Sequence, residues 1–286
     1  MILFPNCKIN LGLHITRKRT DGYHDLETVF YPLPLRDAIE IVSNQEFRAG
    51  NTAAPIYANQ PVDVELVMSG LPVKGDPADN LCVKAWRLLK KDFPQLPPVQ
   101  LHLHKAIPMG AGLGGGSSDA AFTLHLLNNK FKLGIHAEKL LDYALQLGSD
   151  CPFFIINQPC IATGRGELLQ SISLDLSAWS FLLVYPEVHI NTGWAFEQIT
   201  PSLPEKPISE VIAQPVSSWK DSLINDFEAP VCRLHPALAH IKDTLYASGA
   251  VYASMTGSGS SFYGIFPAGK VPTDLFPAYK CYILKG

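Results

Sequence analysis

Apolar and polar residues alternate along Cys7-Lys8-Ile9-Asn10-Leu11-Gly12-Leu13-His14-Ile15. That period of two predicts a strand with Lys8 and Asn10 on one face. Further strands are predicted over residues 26–33, 37–43, 62–68 and 99–104, after a turn at Gly22-Tyr23-His24. The apolar runs 181–185 and 262–266 read as buried strands. Helical spacing takes over at 80–91, where Leu81, Ala85, Leu88 and Leu89 share a face, and at 119–127, where Ala120, Ala121, Leu124 and Leu127 do. A third helix is predicted over 137–147, with Gly148 as its stop signal. The polar elbow Ser149-Asp150 then leads into Cys151-Pro152-Phe153-Phe154-Ile155-Ile156, read as a buried strand. Helices are predicted over 191–199, 208–213, 226–234 and 236–247, with a proline-punctuated loop at 201–207. Strands and helices mix without regular βαβ alternation, so the expected class is α+β. The order of elements restarts around 157–163, which places an expected boundary between domains 1–157 and 158–286.

Between the strand at 99–104 and the helix at 119–127 lies Pro108-Met109-Gly110-Ala111-Gly112-Leu113-Gly114-Gly115-Gly116-Ser117-Ser118, with five glycines in eleven residues. Glycines let the backbone approach a ligand closely, and a helix start presents unpaired N–H groups with a favourable dipole. Phosphate is the expected guest. The pattern G-x-x-x-x-G-K-[ST] fails, because no lysine precedes Ser117. Gly110, Gly112 and Gly115 satisfy G-x-G-x-x-G, but a second helix follows where a dinucleotide fold needs a parallel strand. Protein-kinase H-R-D and D-F-G signatures are absent. Either serine reads equally well as a helix cap, and Asp119 as a first-turn acid or, second, a metal ligand.

Composition narrows the classes. The chain has 286 residues, 47% hydrophobic and 17% charged, as a soluble globular protein does. A net charge of −3 gives no reason to expect nucleic acid. The six cysteines form no C-x-x-C pair, which speaks against a zinc or redox site and for reduced thiols in the cytoplasm. No apolar run reaches the ~20 residues of a membrane helix, and no signal peptide is read.

Three features stand in order: the Lys8-Ile9-Asn10 strand, the glycine loop, and Met255-Thr256-Gly257-Ser258-Gly259. Together they resemble the GHMP superfamily of small-molecule kinases, which includes galactokinase, homoserine kinase, mevalonate kinase and phosphomevalonate kinase. Within it, Arg19-Thr20-Asp21-Gly22-Tyr23-His24, Gly148-Ser149-Asp150-Cys151-Pro152-Phe153 and Thr256-Gly257-Ser258-Gly259 look like blocks of the 4-diphosphocytidyl-2-C-methyl-D-erythritol kinase family, over nearly the whole chain.

The resemblance implies a two-domain fold, its N-terminal domain like ribosomal protein S5 domain 2 and its C-terminal domain a ferredoxin-like α/β sandwich, with the substrate pocket at their interface. It implies ATP as co-substrate with Mg²⁺, and a cytidine diphosphate-linked polyol as acceptor, phosphorylated at its 2-hydroxyl in the non-mevalonate isoprenoid route. Neither nucleic acid nor membrane is an expected partner, and the expected state is a cytoplasmic monomer or weak dimer. Lys8 and Asp150 become the catalytic pair. Residues 108–118, with Asn80 and Lys105, become ATP-binding. Asn10, Tyr23, His24, Thr192, Phe196 and Gly257 become substrate-binding, with His24 reading the cytosine edge. Mg²⁺ is expected on the ATP phosphates and on Ser117 or Ser118.

The residues alone leave plainer readings open. Lys8 reads as a snorkelling surface lysine, Asp150 as a polar cap and the loop 256–261 as a plain turn. Asp150 either accepts the hydroxyl proton late or only orients the hydroxyl, since a free aspartate (~3.9) is a weak base for an alcohol. Competing functions are another GHMP small-alcohol kinase, a non-catalytic nucleotide-binding module and, more distantly, a dinucleotide oxidoreductase. No motif covers 46–61, and Trp194 receives no role.

Overall fold

The computed structural model describes residues 1–43, 63–73 and 75–286. The motif-free segment 46–61 and the start of the strand predicted at 62 lie outside the described residues. The chain forms two compact units, each built from separate stretches.

The first unit comprises Met1–Asn6, Arg36–Ile107 and Gly115–Ile156. Its sheet has the order β1(Ile2–Leu3), β4(Ala38–Ser43), β6(Val99–Lys105), β5(Val64–Gly70). β4 pairs antiparallel with β6, and β5 pairs parallel with it through a crossover carrying α1(Leu81–Asp92). Ile39, Ile41, Leu101 and Leu103 pack with Trp86 and Leu89 of α1 and with Leu124 and Leu127 of α2(Gly115–Phe131). α3(Ala137–Leu147) adds Leu140, Tyr143 and Ala144, and α4(Cys151–Ile156) adds Cys151.

The second unit comprises Cys7–Leu35, Pro108–Gly114 and Asn157–Gly286. One sheet has the order β2(Asn6–Lys18), β3(His24–Arg36), β7(Cys160–Thr163), β8(Leu168–Ser171). β3 tolerates Pro32 and Pro34 because they lie beyond Phe30, where its pairing with β7 has ended. The other sheet is antiparallel, in the order β10(Tyr252–Met255), β11(Phe262–Pro267), β9(Trp179–Tyr185), β12(Lys280–Lys285). α5(Thr192–Glu197), α6(Ile208–Ile212), α7(Glu228–Leu234) and α8(Pro236–Ala247) accompany it. Leu238, Ile241 and Leu245 of α8 share a core with Leu182, Val184, Phe262 and Phe266 of the sheet.

The α+β expectation holds, with one parallel pairing among the described strands. Three local readings need correction. The expected buried strand after Asp150 is helix α4. Six apolar residues carry no period to separate strand from helix, and Pro152 sits in the first turn, where a missing N–H costs nothing. α2 begins at Gly115 rather than 119, so Ser117 and Ser118 lie inside it and neither precedes it as a cap, while Asp119 is past its first turn. Packing decides this start, since a Cβ on Gly115 would stand 2.9 Å from Ile107 Cγ2. Finally, the boundary at 157 is only one of several crossings, because the β2–β3 hairpin joins β7 and β8 of the second unit.

Candidate active site

The second unit gathers the N-terminal strand and two glycine turns. Lys8 and Asn10 share a face of β2, but that face is buried: Lys8 is 4% exposed and Asn10 1%. The surface-lysine reading of Lys8 is therefore excluded. Its ammonium donates to Asn10 Oδ1 at 2.7 Å and lies 4.6 Å from the centroid of the Phe30 ring. Asn10 is a hub. Its Oδ1 also accepts from Gly257 N–H at 3.0 Å, its Nδ2 donates to Thr28 Oγ1 at 3.0 Å, and its backbone N–H donates to Thr256 Oγ1 at 3.0 Å. Tyr263 OH donates to the Asn10 carbonyl at 2.8 Å.

Pro108–Gly114 lies against the same strand. Lys8 N–H donates to the Leu113 carbonyl at 3.0 Å, and Ser261 N–H to that of Ala111 at 3.4 Å. Gly110, Gly112 and Gly114 all have positive φ. At Gly112 the need for glycine is twofold: φ is +77°, and a Cβ would come within 2.1 Å of the Thr256 carbonyl oxygen. Gly257, φ +57°, faces it, so the two turns touch backbone to backbone. Asn225 braces the second turn by donating to the Met255 and Gly257 carbonyls at 2.8 and 2.9 Å. Gly112→Ala should thus cost about 3 kcal/mol or more in chemical denaturation. Gly110→Ala meets only His189 at ordinary contact and should cost about 1 kcal/mol.

Aromatic residues cluster in the same unit. The His24 and Phe196 rings stack with centroids 5.0 Å apart at 18°, and Phe196 meets Phe227 edge-on at 4.9 Å. Tyr23 is 56% exposed. Thr192 Oγ1 lies 3.0 Å from Ser258 Oγ, linking the start of α5 to the turn after Gly257. Among the residues expected to bind substrate, Asn10 and Gly257 are bonded, His24 and Phe196 are stacked, and Thr192 reaches the loop of Gly257.

The first unit holds the remaining predicted residues. Asn80 caps α1, its Oδ1 accepting from Cys82 N–H at 2.9 Å. Lys105, at the end of β6, is fully buried and bonded to both Asp37 and Asp119, the latter at 2.6 Å. Asp37 Oδ1 also accepts from Ala106 and Ile107 N–H at 2.6 and 2.8 Å. Burial pushes the Asp119 carboxyl up to about 7, against the pull of Lys105. Asp119 is thus committed to an ion cluster beside the start of α2, not offered to a metal. Ser118 Oγ, in that first turn, is buried without a partner. Asp150 immediately precedes α4 and is partly buried.

Sequence reasoning missed Asp37, Asn225 and Tyr263. Their bonds to Lys105, to Met255 and Gly257, and to Asn10 span 30 or more residues, so spacing carried no signal. A cavity of about 530 Å³ opens elsewhere in the second unit, lined by Asn225, Asp226, Glu228, Arg233 and Lys242 among others, and includes none of the predicted site residues. Among the described residues, no helix is long and apolar enough to cross a membrane.

Comparison with known proteins now bears on this arrangement. Residues 80–158 match the GHMP kinases N terminal domain, and residues 216–275 the GHMP kinases C terminal family. A 4-diphosphocytidyl-2-C-methyl-D-erythritol kinase from Bacteroides fragilis is 49% identical over 283 residues, 99% of this chain and 98% of its own. One from Bacteroides thetaiotaomicron is 50% identical over 273 residues, 95% of this chain and 94% of its own. A crystal structure of 4-(cytidine 5'-diphospho)-2C-methyl-D-erythritol kinase superposes with a TM-score of 0.80 at 28% identity, covering all of both chains. The Methanococcus jannaschii mevalonate kinase superposes at 0.69 with 15% identity, over 100% of this chain and 98% of its own, a likeness of fold alone. With Lys8, the paired glycine turns and the Tyr23-His24 turn in place, the chain belongs to the 4-diphosphocytidyl-2-C-methyl-D-erythritol kinase family of GHMP kinases.

Proposed function

We propose that this chain transfers the γ-phosphoryl group of ATP to the 2-hydroxyl of 4-diphosphocytidyl-2-C-methyl-D-erythritol, a step of the non-mevalonate isoprenoid route. The observation that carries the reading is the 49% identity, across 99% of the chain, to a protein of that activity.

Phosphoryl transfer to an alcohol asks for positioning and charge neutralisation more than for covalent help. The backbone N–H groups of 108–118 and the start of α2 hold the ATP phosphates, as a glycine-lined helix N-terminus is suited to do. Lys8 supplies the cation that this loop lacks. Its restricted setting, between Asn10 and the Phe30 ring, aims a point charge without rotamer freedom. Asp150 orients the attacking hydroxyl or accepts its proton as the loose transition state acidifies it. Tyr23, His24 and Phe196 take the cytosine. An imidazole has one donor and one acceptor, the pair a cytosine edge can use. Asn80 and Lys105 are assigned to the nucleotide as supports, through the α1 cap and the buried ion pair that they respectively form.

ATP enters as its magnesium complex, which neutralises phosphate charge when bound. Ser118, a buried hydroxyl without a partner, fits such an ion together with the phosphates; Asp119, held by Lys105, does not. The enzyme is read as cytoplasmic and as a monomer or weak dimer.

The purified protein should release ADP from Mg·ATP with diphosphocytidyl-methylerythritol and not with mevalonate or homoserine, and CTP should compete. Absence of ADP with the first alcohol would refute the reading.

A further inference from the structure

Tyr23 is the most exposed of the aromatic side chains assigned to the substrate, and its ring is held from one direction. The Arg165 guanidinium lies 4.8 Å from the centre of the Tyr23 ring. Arg165 sits in the β7–β8 turn, which is built to place it. Gly164 and Gly166 both have positive φ, and the Gly164 carbonyl accepts from Leu26 N–H at 2.7 Å, tying the turn to β3 two residues after His24. Glu167 accepts from the backbone N–H of Arg165 at 2.5 Å, while its carboxylate stands 3.7 Å from Arg165 Nε. That contact is too long for a strong side-chain bond, and it leaves the guanidinium plane to the ring.

The two arginines preceding Tyr23 on its hairpin are committed elsewhere. Arg19 bonds Asp21 and Asp25, and Arg17 bonds Asp25. Those bonds hold the Asp25 carboxyl below its ordinary range, with Arg19 the largest cause. On the Tyr23 side, the backbone is fixed by Tyr23 N–H donating to Asp21 Oδ1 at 3.1 Å and by Arg19 N–H donating to the Tyr23 carbonyl at 2.8 Å. Backbone and one ring face are therefore set, and the exposed surface of the ring is what remains. His24, the next residue, is backed in the same manner by Phe196.

We propose that Arg165 is a positioning residue for the pyrimidine base: it braces Tyr23 so that the ring's exposed surface is ready to stack on cytosine. The idea rests on the proposed substrate. A planar cation stacked on one side of an aromatic ring restricts its two torsions, so less freedom is lost when a base packs on the other side. A guanidinium suits this better than an ammonium because it stacks as a plane.

Three variants test it: Arg165→Ala, Tyr23→Ala and the double. The readouts are KM for the cytidine diphosphate-linked alcohol, KM for ATP, kcat, and calorimetric binding of cytidine and cytidine 5'-monophosphate. Arg165→Ala should raise KM for the alcohol about fivefold, leave kcat and the ATP KM within about twofold, and weaken cytidine and its monophosphate equally. Adding it to Tyr23→Ala should have no further effect, and Arg165→Lys should fall between. The proposal is overturned if the alcohol KM does not move, if the two substitutions add independently, or if the monophosphate alone weakens, which would mark a direct phosphate contact. If the unaltered protein turns over no alcohol yet binds cytidine in this Arg165-dependent way, the reaction assignment fails and the brace stands. If it binds no cytidine compound, both fall.

Discussion

Lys8→Met should lower kcat by about 10³-fold at saturating substrates with the protein still folded, and Asp150→Asn should do the same if its carboxylate takes the proton. Lys8→Met keeps a long unbranched side chain beside Phe30 and removes the charge that lies over its ring. Asn10 Oδ1 retains its bond from Gly257, so the hub survives. The loss should therefore appear in turnover rather than in stability. At Asp150 the size of the loss separates the two roles. If the carboxylate takes the proton, Asn removes most of the rate. If it orients the hydroxyl, the Asn amide still offers an acceptor and the loss stays within about tenfold. Turnover within threefold of the parent for both variants would end the catalytic assignment, and a nucleotide-binding module would replace it.

Lys105→Met should be the most damaging substitution for stability, at about 3–5 kcal/mol in urea denaturation. It leaves Asp37 and Asp119 buried with no cation between them. Asp119→Asn should behave in the opposite sense. One carboxylate is enough to balance Lys105, and Asp37 has two further donors in Ala106 and Ile107 N–H. The second carboxylate carries the burden of burial, which raises it to about 7. A carboxyl raised in the folded state stabilises the fold fully below its unfolded value near 3.8, and that contribution is lost as pH rises through 7. Between pH 6 and 8 the parent should lose about 1 kcal/mol on this account, and Asp119→Asn should flatten that slope. A steeper slope in the variant, or a parent indifferent to pH in this window, would contradict the assignment.

How far these features were legible in the sequence varies with their origin. Periodicity located the helix capped by Asn80 and the strand of Lys8 and Asn10, because one face of each must be apolar. It misread Cys151–Ile156, where burial on every side erases the period. It placed the start of α2 four residues late, because the reason for starting at Gly115 is a close contact with Ile107 that no local rule encodes. At the site, the residue types were visible and their bonding was not. Asn10 stood out by its place on a strand, but its meeting with Thr256 and Gly257 spans some 246 residues of chain. Arg165 had no motif at all. Its relation to Tyr23 exists only because β7 pairs with β3.

The chain passes between its two units five times, at 6/7, 35/36, 107/108, 114/115 and 156/157. For recombination between relatives, this means that no single breakpoint exchanges one unit intact. A junction at 157 would leave β3 from one parent pairing with β7 from the other, and Gly112 from one against Thr256 from the other. The second contact tolerates no added atom. Chimeras that keep the hairpin 7–35, the segment 108–114 and everything after 156 from one parent should fold more often than those cut once, so the inheritable module of this fold is a spatial unit rather than a stretch of gene.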